Sequence, residues 1–293
     1  MKKIESFVFA VAFFAFGLLP AVAAVAPDST QKKDTTAKKP WTPTAIVGLN
    51  ASQMSLTNWS QGGDNSVTWS IFLKLGIRYD SDKWAVANRL NFAFGMSKID
   101  DDDFRNNDND LFFENVLTYK MNWELDPFFS NSFRTLVANG FDYKKTPIEQ
   151  TAAFCDPAYL TQSLGFAFNK IKGFTTRLGV SFQEIFTDKF LNYTKDPITG
   201  DSTKRFRLET GIESVTTLDW HIEENVMLAT SLKLFGRFRP IDIWDVRWEN
   251  TLTARISKYF NVNLNAIVLH IVSQSVHTQV KQTMQLGIVY SIY

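Results

Sequence analysis

From Ala45 to the C-terminus, apolar and polar residues alternate with period two, the pattern of strands covered on one face. In the clearest stretch Val67, Trp69, Ile71, Leu73, Leu75, Ile77 and Tyr79 share one face. Ser66, Thr68, Ser70, Lys74, Gly76 and Arg78 share the other, and Phe72 breaks the rule. Trp84, Val86, Leu90, Phe92 and Phe94 oppose Ala85, Ala87, Arg89, Asn91 and Gly95. Phe174, Leu178, Val180 and Phe182 oppose Arg177, Gly179, Ser181 and Gln183. The pattern predicts twelve strands, near 45–58, 66–79, 83–96, 110–122, 132–143, 160–169, 173–186, 205–220, 226–238, 243–256, 259–270 and 281–293. No helical period stands out.

The connections alternate as well. Those at 80–83, 169–173, 221–225 and 257–258 are short, and the one through Asp126, Pro127 and Phe128 is a little longer. On the other side, 97–109, 144–159, 187–204 and 271–280 are long and polar, while the turns at Gln61-Gly62-Gly63 and Arg239-Pro240-Ile241 are shorter. Short turns at one end and long loops at the other predict an antiparallel transmembrane β-barrel of about twelve strands. The faces agree. A soluble barrel of that size would need an interior filled with Trp and Phe, whereas a bilayer takes the apolar face outside and leaves the polar face to line the lumen. Aromatics gather near strand ends. Trp84, Trp123, Phe133, Phe174, Trp220 and Phe260 fall toward the short turns, and Phe94, Tyr143, Phe186, Phe206, Phe238 and Trp244 toward the long loops. Two such groups predict interfacial girdles.

Composition narrows the class further. With 14% aromatic residues, including 26 Phe and 8 Trp, the chain is not a disordered one. A mean hydropathy of -0.13 argues against a helical membrane protein, which needs several long apolar runs. Lys and Arg number 31 against 30 Asp and Glu, which points to no nucleic-acid partner. The single cysteine, Cys155, excludes an internal disulfide framework and a multi-cysteine zinc site. The chain opens with Lys2 and Lys3, an apolar run from Phe7 to Leu19, and Ala21-Val22-Ala23. That is the three-part pattern of a signal peptide, cleaved near Ala23. Residues 24–43 then read as a flexible periplasmic tail, and 44–293 as a barrel in a bacterial outer membrane. Its expected partners are membrane lipids, the barrel-assembly machinery and a small solute.

The last strand ends Gly287-Ile288-Val289-Tyr290-Ser291-Ile292-Tyr293, like the terminal signal of assembled outer-membrane barrels, although Tyr293 falls on the face opposite Tyr290. The run Ser55-Leu56-Thr57-Asn58-Trp59-Ser60-Gln61-Gly62-Gly63-Asp64-Asn65-Ser66 carries a strand into a Gly-Gly turn and out again. Together with Lys83-Trp84, Asn88, Gly95 and Cys155-Asp156-Pro157-Ala158-Tyr159-Leu160, it resembles the domain-of-unknown-function 3078 family of outer-membrane proteins. The resemblance implies an exported barrel and supplies no catalytic residue.

Candidate chemistry lies first in the lumen. Arg207, Glu209, Glu213, Asp219, Lys233, Arg237, Asp245, Arg247, Glu249 and Arg255 fall on inward positions of three consecutive strands. They form either a solute-selecting constriction or an ion-pair network that fills a narrow lumen. The run Asp100 to Asp103, with Asp108 and Asp110, falls in a predicted loop. It matches no EF-hand spacing and reads as solvated rather than as a calcium site. Ser275 and His277, with Ser273 and His270, sketch a barrel-embedded lipid hydrolase without any hydrolase motif, and His221 reads as a turn residue. Cys155 reads as a loop-packing residue. The long loops offer a surface-binding platform. The leading expectation is a non-enzymatic narrow channel or structural barrel, without metal or cofactor.

Overall fold

The computed structural model describes residues 40–56, 64–121, 123–143, 145–195, 200, 204–239, 243–272 and 277–291, with no side-chain description at 291. The predicted signal peptide, most of the tail, and the turns at 61–63 and 240–241 lie outside the described residues.

The strands are β1 (Trp41–Met54), β2 (Ser66–Asp80), β3 (Trp84–Ile99), β4 (Arg105–Tyr119), β5 (Asp126–Thr135), β6 (Gly140–Asp142), β7 (Glu149–Ala152), β8 (Ala158–Phe168), β9 (Phe174–Phe186), β10 (Phe206–Glu223), β11 (Val226–Arg237), β12 (Trp244–Arg255), β13 (Phe260–His270) and β14 (Gln279–Ser291). Twelve of them close into one antiparallel barrel in the order β1-β14-β13-β12-β11-β10-β9-β8-β5-β4-β3-β2. The last strand closes on the first from Ile46–Ser291 to Ala51–Leu286. β6 and β7 form a separate small hairpin in the loop between β5 and β8. One short 3-10 helix, Leu191–Thr194, sits in the loop after β9. Among the described residues no helix is long and apolar enough to cross a membrane.

The wall is polar inside and apolar outside. Along β8, β9 and β10 buried and exposed residues alternate, and the larger part of the buried set is polar, with Thr161, Ser163, Arg177, Ser181, Glu209 and Glu213 beside Ala158, Ala167, Ile185 and Val215. The outward set is apolar, with Leu164 63% and Leu178 59% exposed. In water that arrangement would expose an apolar band around the whole molecule. In lipid it is the favourable one, because closure pairs the backbone amides and the outer face meets only hydrocarbon. The barrel is therefore a transmembrane barrel. Aromatic pairs mark both ends of the band. Trp41 packs on Tyr79 at 4.8 Å and Trp84 on Tyr119 at 4.7 Å near the short turns, and Phe186 packs on Phe206 at 5.1 Å near the long loops.

β4, β5 and β10 depart from the sequence reading, each for a physical reason. The fifth barrel strand is 126–135 rather than 132–143, because Phe128 points inward against its apolar neighbour Phe129 and breaks the alternation. Phe133 therefore lies toward the long loops, and Tyr143 follows β6 instead of standing in the wall. β4 starts at Arg105, so the predicted 97–109 loop shrinks to 100–104 and Asp108 and Asp110 join the wall. That stretch is polar on both faces, which is why it reads as a loop. β10 runs to Glu223, so His221 is an exposed strand residue paired with Met227.

Candidate functional site: the charged lumen

The predicted cluster on β10, β11 and β12 faces the lumen throughout, since the register sets these positions against inward partners. Glu209 binds Arg207 and Arg237, both at 2.9 Å. Arg237 also binds Asp245 at 2.7 Å. Lys233 lies directly opposite Arg247 in the register, a like-charge pair that each side chain escapes differently. Lys233 turns to Glu213 at 2.6 Å, where the Ser163 hydroxyl also donates, and Arg247 pairs with Glu249 on its own strand. Arg255 stands exposed at the short-turn end with no ion pair among the described residues.

The other half of the network lies on strands the sequence reading left out. Glu114 of β4 holds Arg177 of β9 at 2.6 Å and Arg89 of β3 at 2.8 Å. Arg134 of β5 grips Asp110 with Nε at 2.7 Å and Nη2 at 2.9 Å. The same guanidinium donates to Glu249 of β12 at 3.1 Å. Lys281 of β14 pairs with Asp108 of β4. The pattern shows that each residue faces inward, but only the tertiary structure shows which strands meet across the lumen.

Asp110, Arg134, Glu249 and Arg247 thus form a charged bar from β4 and β5 to β12. β5 is five steps from β12, and β4 six, in a twelve-strand ring. A circular barrel of twelve tilted strands is about 25 Å across between backbones. Arg and Glu side chains with a hydrogen bond between them span at most about 15 Å. The lumen is therefore a slit, with β4 and β5 drawn toward β12 and β14. The narrow ends of a slit need sharp bends, and glycines stand at one of them. Gly165 faces Gly179 across β8 and β9, and a β-carbon on Gly165 would lie 2.1 Å from the Leu178 carbonyl oxygen. Gly211 of β10 leaves a similar 2.2 Å to the Gly236 carbonyl. Inside this bend the lumen is packed: Phe128, Ile185, Val215 and Phe235 point inward and are buried, and Arg237 and Glu209 are each only 2% exposed. Around the bar it is wetter, with the Glu249 side chain 38% and that of Arg89 43% exposed. A neutral amide group completes the wall: Asn263 links Asn50, Asn261 and Thr253 across β13, β1 and β12.

The family-like Cys155-Asp156-Pro157 segment is a loop clamp. The Asp156 carboxylate accepts from the Thr187 hydroxyl and from the backbone N–H groups of Asp188 and Lys189. Thr135 Oγ1 donates to the Pro157 carbonyl at 2.8 Å. The loops after β5 and β9 are thereby tied together at the rim. Cys155 adopts the left-handed conformation at φ 55°, and burial raises its thiol pKa despite the hydrogen bond with Thr135. Burial, then the nearby Asp156 charge, raises the Tyr193 phenol as well.

The remaining candidates come apart. Ser273 and Ser275 lie outside the described residues, and His270 Nδ1 contacts the Thr278 hydroxyl at 3.2 Å. The acidic run is divided, since Asp108 and Asp110 face the lumen and hold cations. Among the described residues no group of three or more His, Cys, Asp or Glu side chains could hold a metal ion.

Fold and site together define a closed, twelve-stranded transmembrane barrel with a charged, slit-shaped lumen. The chain resembles the domain-of-unknown-function 3078 family, and residues 51–141 match that family's model, described as a protein of unknown function. No curated protein matches the chain. Among solved structures, an outer membrane channel from Pseudomonas putida F1 is similar at a TM-score of 0.41 and 11% identity, covering 89% of this chain and 98% of that one. The translocator domain of the autotransporter NalP from Neisseria meningitidis is similar at 0.38 and 10%, covering 88% and 90%. The NanC porin gives 0.38 and 10%, covering 84% and 98%. These scores are low, and the architecture rests on the strand register rather than on them.

Proposed function

We propose that the protein is a non-enzymatic channel of the bacterial outer membrane that passes small solutes through a slit. The observation that carries this reading is the bar of Asp110, Arg134, Glu249 and Arg247 across a lumen that water reaches around it. Charged side chains that bridge a passage select by charge and size, since a permeating ion exchanges its hydration for theirs. The packed bend around Arg237 and Phe235 confines the passage to the side of β2–β5 and β12–β14. The N-terminal leader pattern and the apolar outer face support export into the outer membrane. The leader is cleaved near Ala23, and the assembly machinery and lipid are the partners this route requires.

Planar-bilayer recording on the refolded mature protein tests the reading. Small, discrete, ion-selective steps are expected. Silence from protein whose folding is verified by heat-modifiable gel mobility would assign the network to holding a closed barrel together.

A further inference from the structure

One inward patch of the slit holds hydrogen-bond donors without acceptors. Lys74 of β2 lies opposite Asn91 of β3 in the register, and Asn91 lies opposite Phe112 of β4. Arg89 is two residues from Asn91 on the same strand, so its β-carbon is about 7 Å diagonally from that of Lys74. Among the described residues Lys74 makes no ion pair or hydrogen bond, and its ammonium stands 5.7 Å over the Phe72 ring. The Asn91 amide likewise has no hydrogen-bond partner among them. Arg89 gives Nη2 to Glu114, but its Nε is buried and unsatisfied.

The carboxylates nearby are already engaged. Glu114 is shared by Arg89 and Arg177, and Glu249 by Arg134 and Arg247. Two aromatic rings flank the patch. Phe72 lies against Gly48 of β1, where an added β-carbon would meet its ring at 2.2 Å. Phe112 carries the Arg89 guanidinium at 5.4 Å from its centroid. Lys74 is exposed to the lumen and Asn91 half-buried, so an anion entering the slit meets two donors without acceptors beside the Arg89 guanidinium, whose side chain is 43% exposed.

We infer that Lys74, Arg89 and Asn91 form a binding site for a small carboxylate with a planar apolar body, held between Phe72 and Phe112. The carboxylate accepts from the Lys74 ammonium, the exposed edge of the Arg89 guanidinium and the Asn91 amide. The body takes the place of water beside the rings, where flat groups stack well. The site rests on the channel reading only for its role in transport; binding itself stands apart from conduction.

The test is equilibrium dialysis of the refolded full-length barrel with labelled benzoate, acetate or benzyl alcohol. Saturable benzoate binding is expected, with weaker acetate binding and none of benzyl alcohol, which lacks the charge. Lys74→Met and Arg89→Gln should each weaken benzoate binding about tenfold or more, the worth of one charge-assisted hydrogen bond. Lys74→Arg should retain it, and Arg205→Gln in the exposed loop before β10 should leave it unchanged. Lys74→Met removes no ion pair, so it carries the test if Arg89→Gln fails to fold. Absence of saturable benzoate binding by folded protein would overturn the inference, as would equal binding by wild type and Lys74→Met. Binding without conductance would refute the channel and leave the site. Conductance without binding would do the reverse.

Discussion

Arg134→Ala removes the centre of the bar. The guanidinium makes three hydrogen bonds, two to Asp110 and one to Glu249. Its loss leaves Asp110 without this partner and Glu249 with Arg247 alone. Breaking a fully buried ion pair costs about 3–5 kcal/mol. Here the side chains of Arg134, Asp110 and Glu249 are 25%, 32% and 38% exposed, so water re-solvates the carboxylates. A cost nearer 1 kcal/mol follows, between the buried and surface limits. The barrel should therefore still fold, with a slightly lower urea midpoint. The passage should change more. A side chain of about 7 Å reach leaves the middle of the slit, and one positive charge leaves with it. In bilayers held in a potassium chloride gradient, the single-channel step should grow and the reversal potential should move toward cation selectivity. An unchanged step size and unchanged selectivity in folded Arg134→Ala would refute the bar as the constriction.

Arg237→Ala should behave in the opposite way: with Arg237 and Glu209 both buried in the packed bend, loss of the cation costs about 3–5 kcal/mol in urea unfolding and leaves conductance unaltered in whatever folds. Gly165→Ala should reduce the folded, heat-modifiable fraction sharply, because its β-carbon collides with backbone rather than with a side chain that can move. Leu178→Arg on the lipid face should cost about 2–4 kcal/mol, measured by unfolding from lipid vesicles, whereas the same change on an exposed loop should cost little. Cys155 has its pKa raised by burial, so less of it is thiolate at neutral pH than for a free thiol. Its maleimide labelling rate should keep climbing with pH beyond the usual thiol range near 8.5, and Asp156→Ala, which unties the loops, should speed labelling at every pH.

Much of the molecule was legible in the chain itself. Period two in Val67 to Tyr79 and Phe174 to Gln183 named the strands and their two faces, because side chains of a strand must alternate across the wall. The apolar face, richer in aromatics than a closed interior could hold, placed lipid outside. The inward charges from Arg207 to Arg255 were readable on the same ground, since position along a strand decides which way a residue points. Reading failed where that alternation does. Asp108 and Asp110 lie in a stretch polar on both faces, and Phe128 turns an aromatic inward.

The sequence by itself determined the class of fold, a count of about twelve strands and the inward charges of β10 to β12, all of which follow from local periodicity and the solvent each face meets. The tertiary structure alone decided that the lumen is a slit, that Arg134 of β5 meets Glu249 of β12, and that Lys74, Arg89 and Asn91 share a patch without an acceptor. Those facts depend on how far the wall flattens and which opposite strands approach. Flattening comes from the sum of long-range ion pairs and glycine bends, and no window along the chain contains both partners of such a contact.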